Sequence, residues 1–191
     1  MMISQAIAQE NLTEQEEYRL IRAAQEDLRQ FAPLYEQYLD RIYRYIAARV
    51  GDGTMAEDLT SEVFLKALEN LSRYRPSAPF AAWIFTIAHH TVASHFRQRP
   101  VMIGYHEPFF DRASSGNVFP PQREGPDDDL AQLHQLLARL DEEDRELLRL
   151  RFAGGLTYRE AAMVLGRSPG AVKMATHRLL QRLRHEMEKD K

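Results

Sequence analysis

The chain has 191 residues, 44% of them hydrophobic and 28% charged, with a net charge of −3 and a mean hydropathy of −0.49. These values fit one domain or two small ones and exclude wholesale disorder. No apolar run approaches the ~18 residues of a membrane span, and the absence of cysteine removes disulfide scaffolds, thiol nucleophiles, zinc ribbons and iron–sulfur clusters.

Apolar residues recur every three or four positions and do not alternate, which predicts an all-α protein of two small helical domains joined by a linker. Residues 1–26 form an acidic, mixed N-terminal extension. Thr13 and Glu16 have the spacing of a capping box, and a loosely packed helix is expected there. The opening residues lack a basic segment followed by an apolar core, so no signal peptide is expected, and the expected compartment is the cytoplasm.

Residues 27–100 make the first domain, with three predicted helices. Phe31, Leu34, Tyr38, Ile42, Tyr45 and Ile46 form the apolar face of the first, which ends at Gly51-Asp52-Gly53. A second helix begins near Thr54 and carries Leu59, Val63, Phe64, Ala67 and Leu68. After a loop with two prolines, a third carries Phe80, Trp83, Ile84, Ile87, Thr91 and Val92 and stops at Pro100. Residues 101–129 lose this periodicity. Their four prolines, three glycines and mainly acidic charges read as a tether.

The second domain, residues 130–191, opens with Leu133, Leu136, Leu137 and Leu140 on one face and breaks at Gly154-Gly155. Thr157 and Glu160 can form a capping box, Gly166 suits a left-handed helix end, and Ser168-Pro169 can open the next helix. Ala161 and Ala162 allow two helices to cross closely. This is a helix-turn-helix pattern, whose second helix enters the DNA major groove. Ser168, Lys173, Met174, His177, Arg178 and Arg182 are the candidate duplex contacts. From Arg167 onward there are seven bases and three acids, a local charge of +4 on an acidic protein.

Between Leu71 and Tyr105 there is no acidic residue. Arginines with interleaved aromatics suit a surface that tracks phosphates and holds unstacked bases. Trp83 and Phe80 have core spacing, so the loop residues Arg73, Tyr74 and Arg75 are the better contact candidates. His89 and His90, with Arg97 and Arg99, are expected to face nucleic acid.

Three segments, AEDLTSEVFLKAL, RYRPSAPFAAWIFTIAHHTVASHFRQR and LLRLRFAGGLTYREAAMVLGRSPGAVK, resemble sigma factors of the bacterial sigma-70 family, specifically its extracytoplasmic-function (ECF) group. The resemblance covers residues 27–189. It implies that the chain binds core RNA polymerase, at the beta-prime clamp helices and the beta flap, and directs initiation at promoter DNA. Glu57, Asp58, Leu59, Glu62 and Phe64 stand where the family docks on the clamp helices. Residues 72–99 stand where it opens the minus-ten element and captures a flipped base, and the helix-turn-helix where it reads the minus-35 element. An anti-sigma factor is implied as a further partner. The chain departs from the usual pattern at Ser61 (Gln in the family), His89-His90 (often Arg-Asn) and Ser94 (Asp).

An enzyme is not expected. His89, His90 and His95 do not have HExxH spacing, and no GxSxG is present, so no catalytic residue, metal or cofactor is assigned. A conventional helix-turn-helix regulator would explain the C-terminus but leaves the AEDLTSEVF helix and the acid-free stretch without a role. A purely protein-binding module would use helical faces and the linker aromatics Phe109, Phe110 and Phe119.

Overall fold

The computed structural model describes residues 13–98 and 127–189, and these are helical with no strand among them. The first helix, α1 (Glu14–Glu26), starts at a complete capping box: the Thr13 hydroxyl accepts the Glu16 N–H, and the Glu16 carboxylate accepts the Thr13 N–H at 2.9 Å. Contrary to expectation, α1 is firmly docked. Ile21 and Ala24 are buried, the Gln25 amide donates to the carbonyls of Leu71 and Tyr74 at 2.9 and 3.0 Å, and the Tyr38 hydroxyl donates to Glu17. Its apolar face, though short, is covered by the first domain.

A 3₁₀ turn (Leu28–Phe31) leads into α2 (Ala32–Val50), which ends at Gly51 with φ +71°, a conformation that favours glycine. Asp52 accepts the Met55 N–H at 2.8 Å and so caps α3 (Gly53–Asn70). A second 3₁₀ turn (Leu71–Arg73) and a loop precede α4 (Phe80–Gln98). Leu34, Ile42, Val63, Phe80, Ile84 and Phe85 form the centre of this bundle.

The second domain contains α5 (Asp127–Ala138), α6 (Glu142–Leu148), a π-helical turn (Arg149–Ala153), α7 (Tyr158–Leu165) and α8 (Pro169–Lys189). The anticipated caps are formed. Thr157 and Glu160 exchange hydrogen bonds, Gly166 takes φ +63°, and the Ser168 hydroxyl accepts the Ala171 N–H at 3.2 Å. Val172, Thr176, Leu179 and Leu183 point inward from α8. Ala175 beside them is only half-buried, and Thr176 takes the inner place by donating its hydroxyl to the Val172 carbonyl at 2.9 Å. Replacing Thr157 with Ala is expected to lower stability by about 1 kcal/mol, because the Glu160 N–H loses the hydroxyl oxygen that accepts it. Urea denaturation of the two proteins measures this.

The two domains touch. α7 lies against α4, and the π turn against α2. Their apolar interiors join into one buried cluster, while Leu136, Leu140, Leu179 and Leu183 form a smaller one under α5.

Candidate nucleic-acid and polymerase interfaces

On α8 the inward row fixes what the outer face presents. Lys173, Met174, His177 and Arg178 are all exposed. Met174 and Arg178 are one turn apart, as are Lys173 and His177, so the four form a compact, cationic and partly apolar patch. Long cations and a flexible thioether suit phosphates and the edges of bases. Ser168 serves at the helix N-terminus as a cap. Arg182 is different: it is paired with Asp144 in the first turn of α6, and Arg167 is 3.8 Å from Glu143 in the same turn. These acids are favoured at a helix start, where they also neutralise part of the basic face. Local spacing did not reveal the pairing because it joins residues 38 apart.

In the acid-free stretch, Arg73, Arg75, His90 and Arg97 are exposed. The Arg75 guanidinium donates to the carbonyls of Ser72 and Tyr74 at 3.1 Å each, which holds the loop in shape. Tyr74 corrects the sequence expectation. It is 5% exposed, donates its hydroxyl to the Ala78 carbonyl at 2.6 Å, and packs edge-on against Phe80. Its ring is a core group and is not presented to a base. Trp83 is half-buried against Tyr74 and Phe80, in line with its core spacing. His89 is also corrected: it is half-buried, with Nδ1 2.8 Å from Glu146 on α6. Arg99 lies outside the described residues.

On α3 the docking candidates divide between two faces. Glu57, Asp58 and Glu62 are exposed, and Glu62 pairs with Lys66 at 2.6 Å. Leu59 and Phe64 are buried at 3% and 4%, with the Phe64 ring against Tyr35 and Phe31. They support the helix from below and cannot themselves touch a partner. The apolar side chain on the outer face is Leu65, 61% exposed and one turn beyond Ser61. Asp58, Ser61, Glu62 and Leu65 follow helical spacing, so the residues missed by the motif were legible from the period. The face offers carboxylates around one apolar knob, which fits a basic partner with an apolar contact point.

Residues 34–100 match the family described as Sigma-70 region 2, and residues 130–183 match Sigma-70, region 4. Over 162 residues the chain is 35% identical to the ECF RNA polymerase sigma factor BldN of Streptomyces coelicolor, an alignment covering 80% of this chain and 58% of BldN. It is 36% identical over 151 residues to the ECF RNA polymerase sigma factor SigD of Mycobacterium tuberculosis, covering 76% of this chain and 71% of SigD. The sigma factor RpoE from Bartonella quintana, solved with the anti-sigma factor NepR, shares the fold with a TM-score of 0.60 at 24% identity, covering 85% of this chain and 99% of that one. Two matched regions in the same order, with the capped helix-turn-helix and the carboxylate-bearing α3 in their places, make the chain a member of the sigma-70 family of RNA polymerase sigma factors, in its ECF group.

Proposed function

We propose that the chain binds core RNA polymerase and directs promoter-specific transcription initiation, as a DNA-recognition subunit without a catalytic step of its own. The observation that carries this reading is the presence of both regions, 2 and 4, in one chain. In this reading α3 docks on the polymerase clamp through Asp58, Glu57, Glu62 and Leu65. The exposed Arg73, Arg75, His90 and Arg97 meet the minus-ten strand, and holding a flipped base offsets part of the few kcal/mol spent on unstacking it. The row Lys173, Met174, His177 and Arg178 reads the minus-35 duplex, with Ser168 at the helix start.

Two weak sites on one tether reinforce each other through effective concentration once polymerase sets their spacing. The net charge of −3 keeps the free chain from competing for DNA by charge alone. Its work is placed where polymerase and promoter are, in the cytoplasm. By analogy with the RpoE–NepR complex, an anti-sigma factor covering these surfaces is a further partner.

Reconstituted transcription on a promoter library, with core polymerase and with or without the chain, tests the reading. Defined start sites are expected only when both are present. Gel shifts without polymerase separate it from a free-standing regulator, which would bind its operator alone. Asp58→Lys is expected to weaken polymerase binding by at least tenfold with unchanged helicity, because Asp58 is exposed and opposes basic partners. Fluorescence anisotropy with core polymerase, alongside circular dichroism, measures both. Loss of helicity would make Asp58 structural.

A further inference from the structure

Gln25 lies on α1, ahead of the segment that matches region 2 and outside every motif that carries the family resemblance. Its side chain is half-buried against the loop that follows α3. The amide nitrogen donates to the carbonyls of Leu71 and Tyr74 at 2.9 and 3.0 Å. The amide oxygen accepts a hydrogen bond from the Arg22 guanidinium at 3.4 Å. These partners fix the orientation of the amide, since turning it over would set an oxygen against two carbonyl oxygens. Both of its N–H groups are thus committed to backbone 46 and 49 residues away.

A loop has no repeating ladder of its own, so its shape rests on whatever its carbonyls and N–H groups meet. The Leu71 carbonyl also accepts the Tyr74 N–H at 3.1 Å, and the Tyr74 carbonyl also accepts the Arg75 guanidinium at 3.1 Å. Between these two anchored carbonyls stand Ser72 and Arg73, both exposed. Arg75 commits a guanidinium nitrogen to the loop itself, whereas Arg73 has no hydrogen bond or ion pair among the described residues. Arg73 is therefore the cation that the loop holds out, and the backbone from Leu71 to Tyr74 sets its direction. Gln25 grips both ends of that backbone. Each carbonyl keeps a second partner if the amide is lost, and buried Ile21 and Ala24 keep α1 docked.

We propose that Gln25 is a positioning residue for minus-ten recognition, which acts through the loop backbone to aim Arg73 at the displaced strand without touching DNA itself. The proposal rests on the sigma-factor reading, in which Arg73 meets that strand. A recognition contact works only when its side chain is held within about 0.5 Å of the productive position by a locked support. A loop fixed before DNA arrives also loses less freedom on binding, which leaves more of the contact for affinity and discrimination.

Holoenzyme transcription tests this, on a promoter selected from the library and on versions with one minus-ten base changed. The readout is the ratio of yields on the intact and altered elements, which does not depend on how much of the chain is folded. Gln25→Glu, which sets a carboxylate against the two carbonyls, is expected to cut that ratio several-fold with polymerase affinity unchanged in fluorescence anisotropy. Gln25→Met, which has similar length and no donor, should cut it less, and it carries the test if Gln25→Glu does not fold. Thr13→Ala removes the hydroxyl that caps α1 and should lower the melting temperature but leave the ratio intact. Because Gln25 acts through Arg73, adding either Gln25 variant to Arg73→Ala should lower the ratio no further. An unchanged ratio in the folded Gln25 variants, or an effect that adds in full to that of Arg73→Ala, would overturn the proposal. Failure of the sigma-factor reading looks different: no chain, the parent included, gives a defined start site with core polymerase.

Discussion

Phe80→Ala is expected to destabilise the first domain by about 3–5 kcal/mol, the cost of emptying a well-packed aromatic site. Phe80 is fully buried at the start of α4, with ring centres 5.3 Å from Tyr38, 5.5 Å from Tyr74 and 5.1 Å from Trp83. These rings come from α2, the loop after α3, and α4 itself, so one cavity loosens three elements at once. The loop is also the segment that carries Arg73 and Arg75, and its shape depends on Tyr74 staying packed. Domains of this size are stable by only about 5–15 kcal/mol, so the loss is a large share of the whole. Thermal and urea denaturation should show it. Transcription should fall further than polymerase binding, because the Phe80 ring packs directly on Tyr74 of the loop. Phe96→Ala provides the contrast: Phe96 lies on the same helix but is 39% exposed, and its removal should change stability by no more than ~0.5 kcal/mol. If both variants melt alike, the aromatic cluster does not hold the domain together.

What could be read in the residues was local. Caps and breaks depend on a few neighbouring atoms, so Thr13-Glu16, Thr157-Glu160, Gly51 and Gly166 marked helix ends at positions the structure bears out. The helix-turn-helix followed because its two caps, its turn and its small crossing residues agree. On α3 two signals conflicted. The family motif grouped Leu59 and Phe64 with the docking acids, while helical spacing grouped them with Val63 and Ala67 in the core. The structure follows the spacing, because the side of a helix on which a residue lies is fixed by its position in the turn. Tyr74 was misplaced for a related reason: a residue in a loop has no period to reveal its burial. His89 and Arg182 were legible as polar groups expected to face nucleic acid but not as partners of Glu146 and Asp144. Those pairs join residues 57 and 38 apart, and they depend on how α6 is set against α4 and α8. Domain placement was beyond local reasoning altogether, since the seam rests on long-range contacts such as Arg41 with Gly154.

Lys173→Ala combined with Arg178→Ala is expected to abolish use of the upstream element while sparing the rest of the protein. Both side chains are exposed on α8, and the residues that hold α8 in place, Val172, Thr176, Leu179 and Leu183, are untouched. A bidentate contact to a base is worth about 1–3 kcal/mol, or roughly five- to 150-fold in affinity, and its loss relaxes specificity at that base pair. A contact to phosphate alone weakens every sequence alike and lowers the salt slope by about one unit per charge. Measuring holoenzyme transcription across salt concentrations, on promoters with intact and scrambled minus-35 elements, tells these apart. If either cation reads bases, the parent should distinguish the two promoters and the double variant should not. Arg182→Ala should cost less, because Asp144 already neutralises its charge and DNA must displace that acid to gain the contact. Asp144→Ala should then strengthen upstream binding and steepen its salt dependence, since it releases a cation onto the basic face. A double variant that still prefers the intact element would move the reader away from the Lys173–Arg178 row of α8.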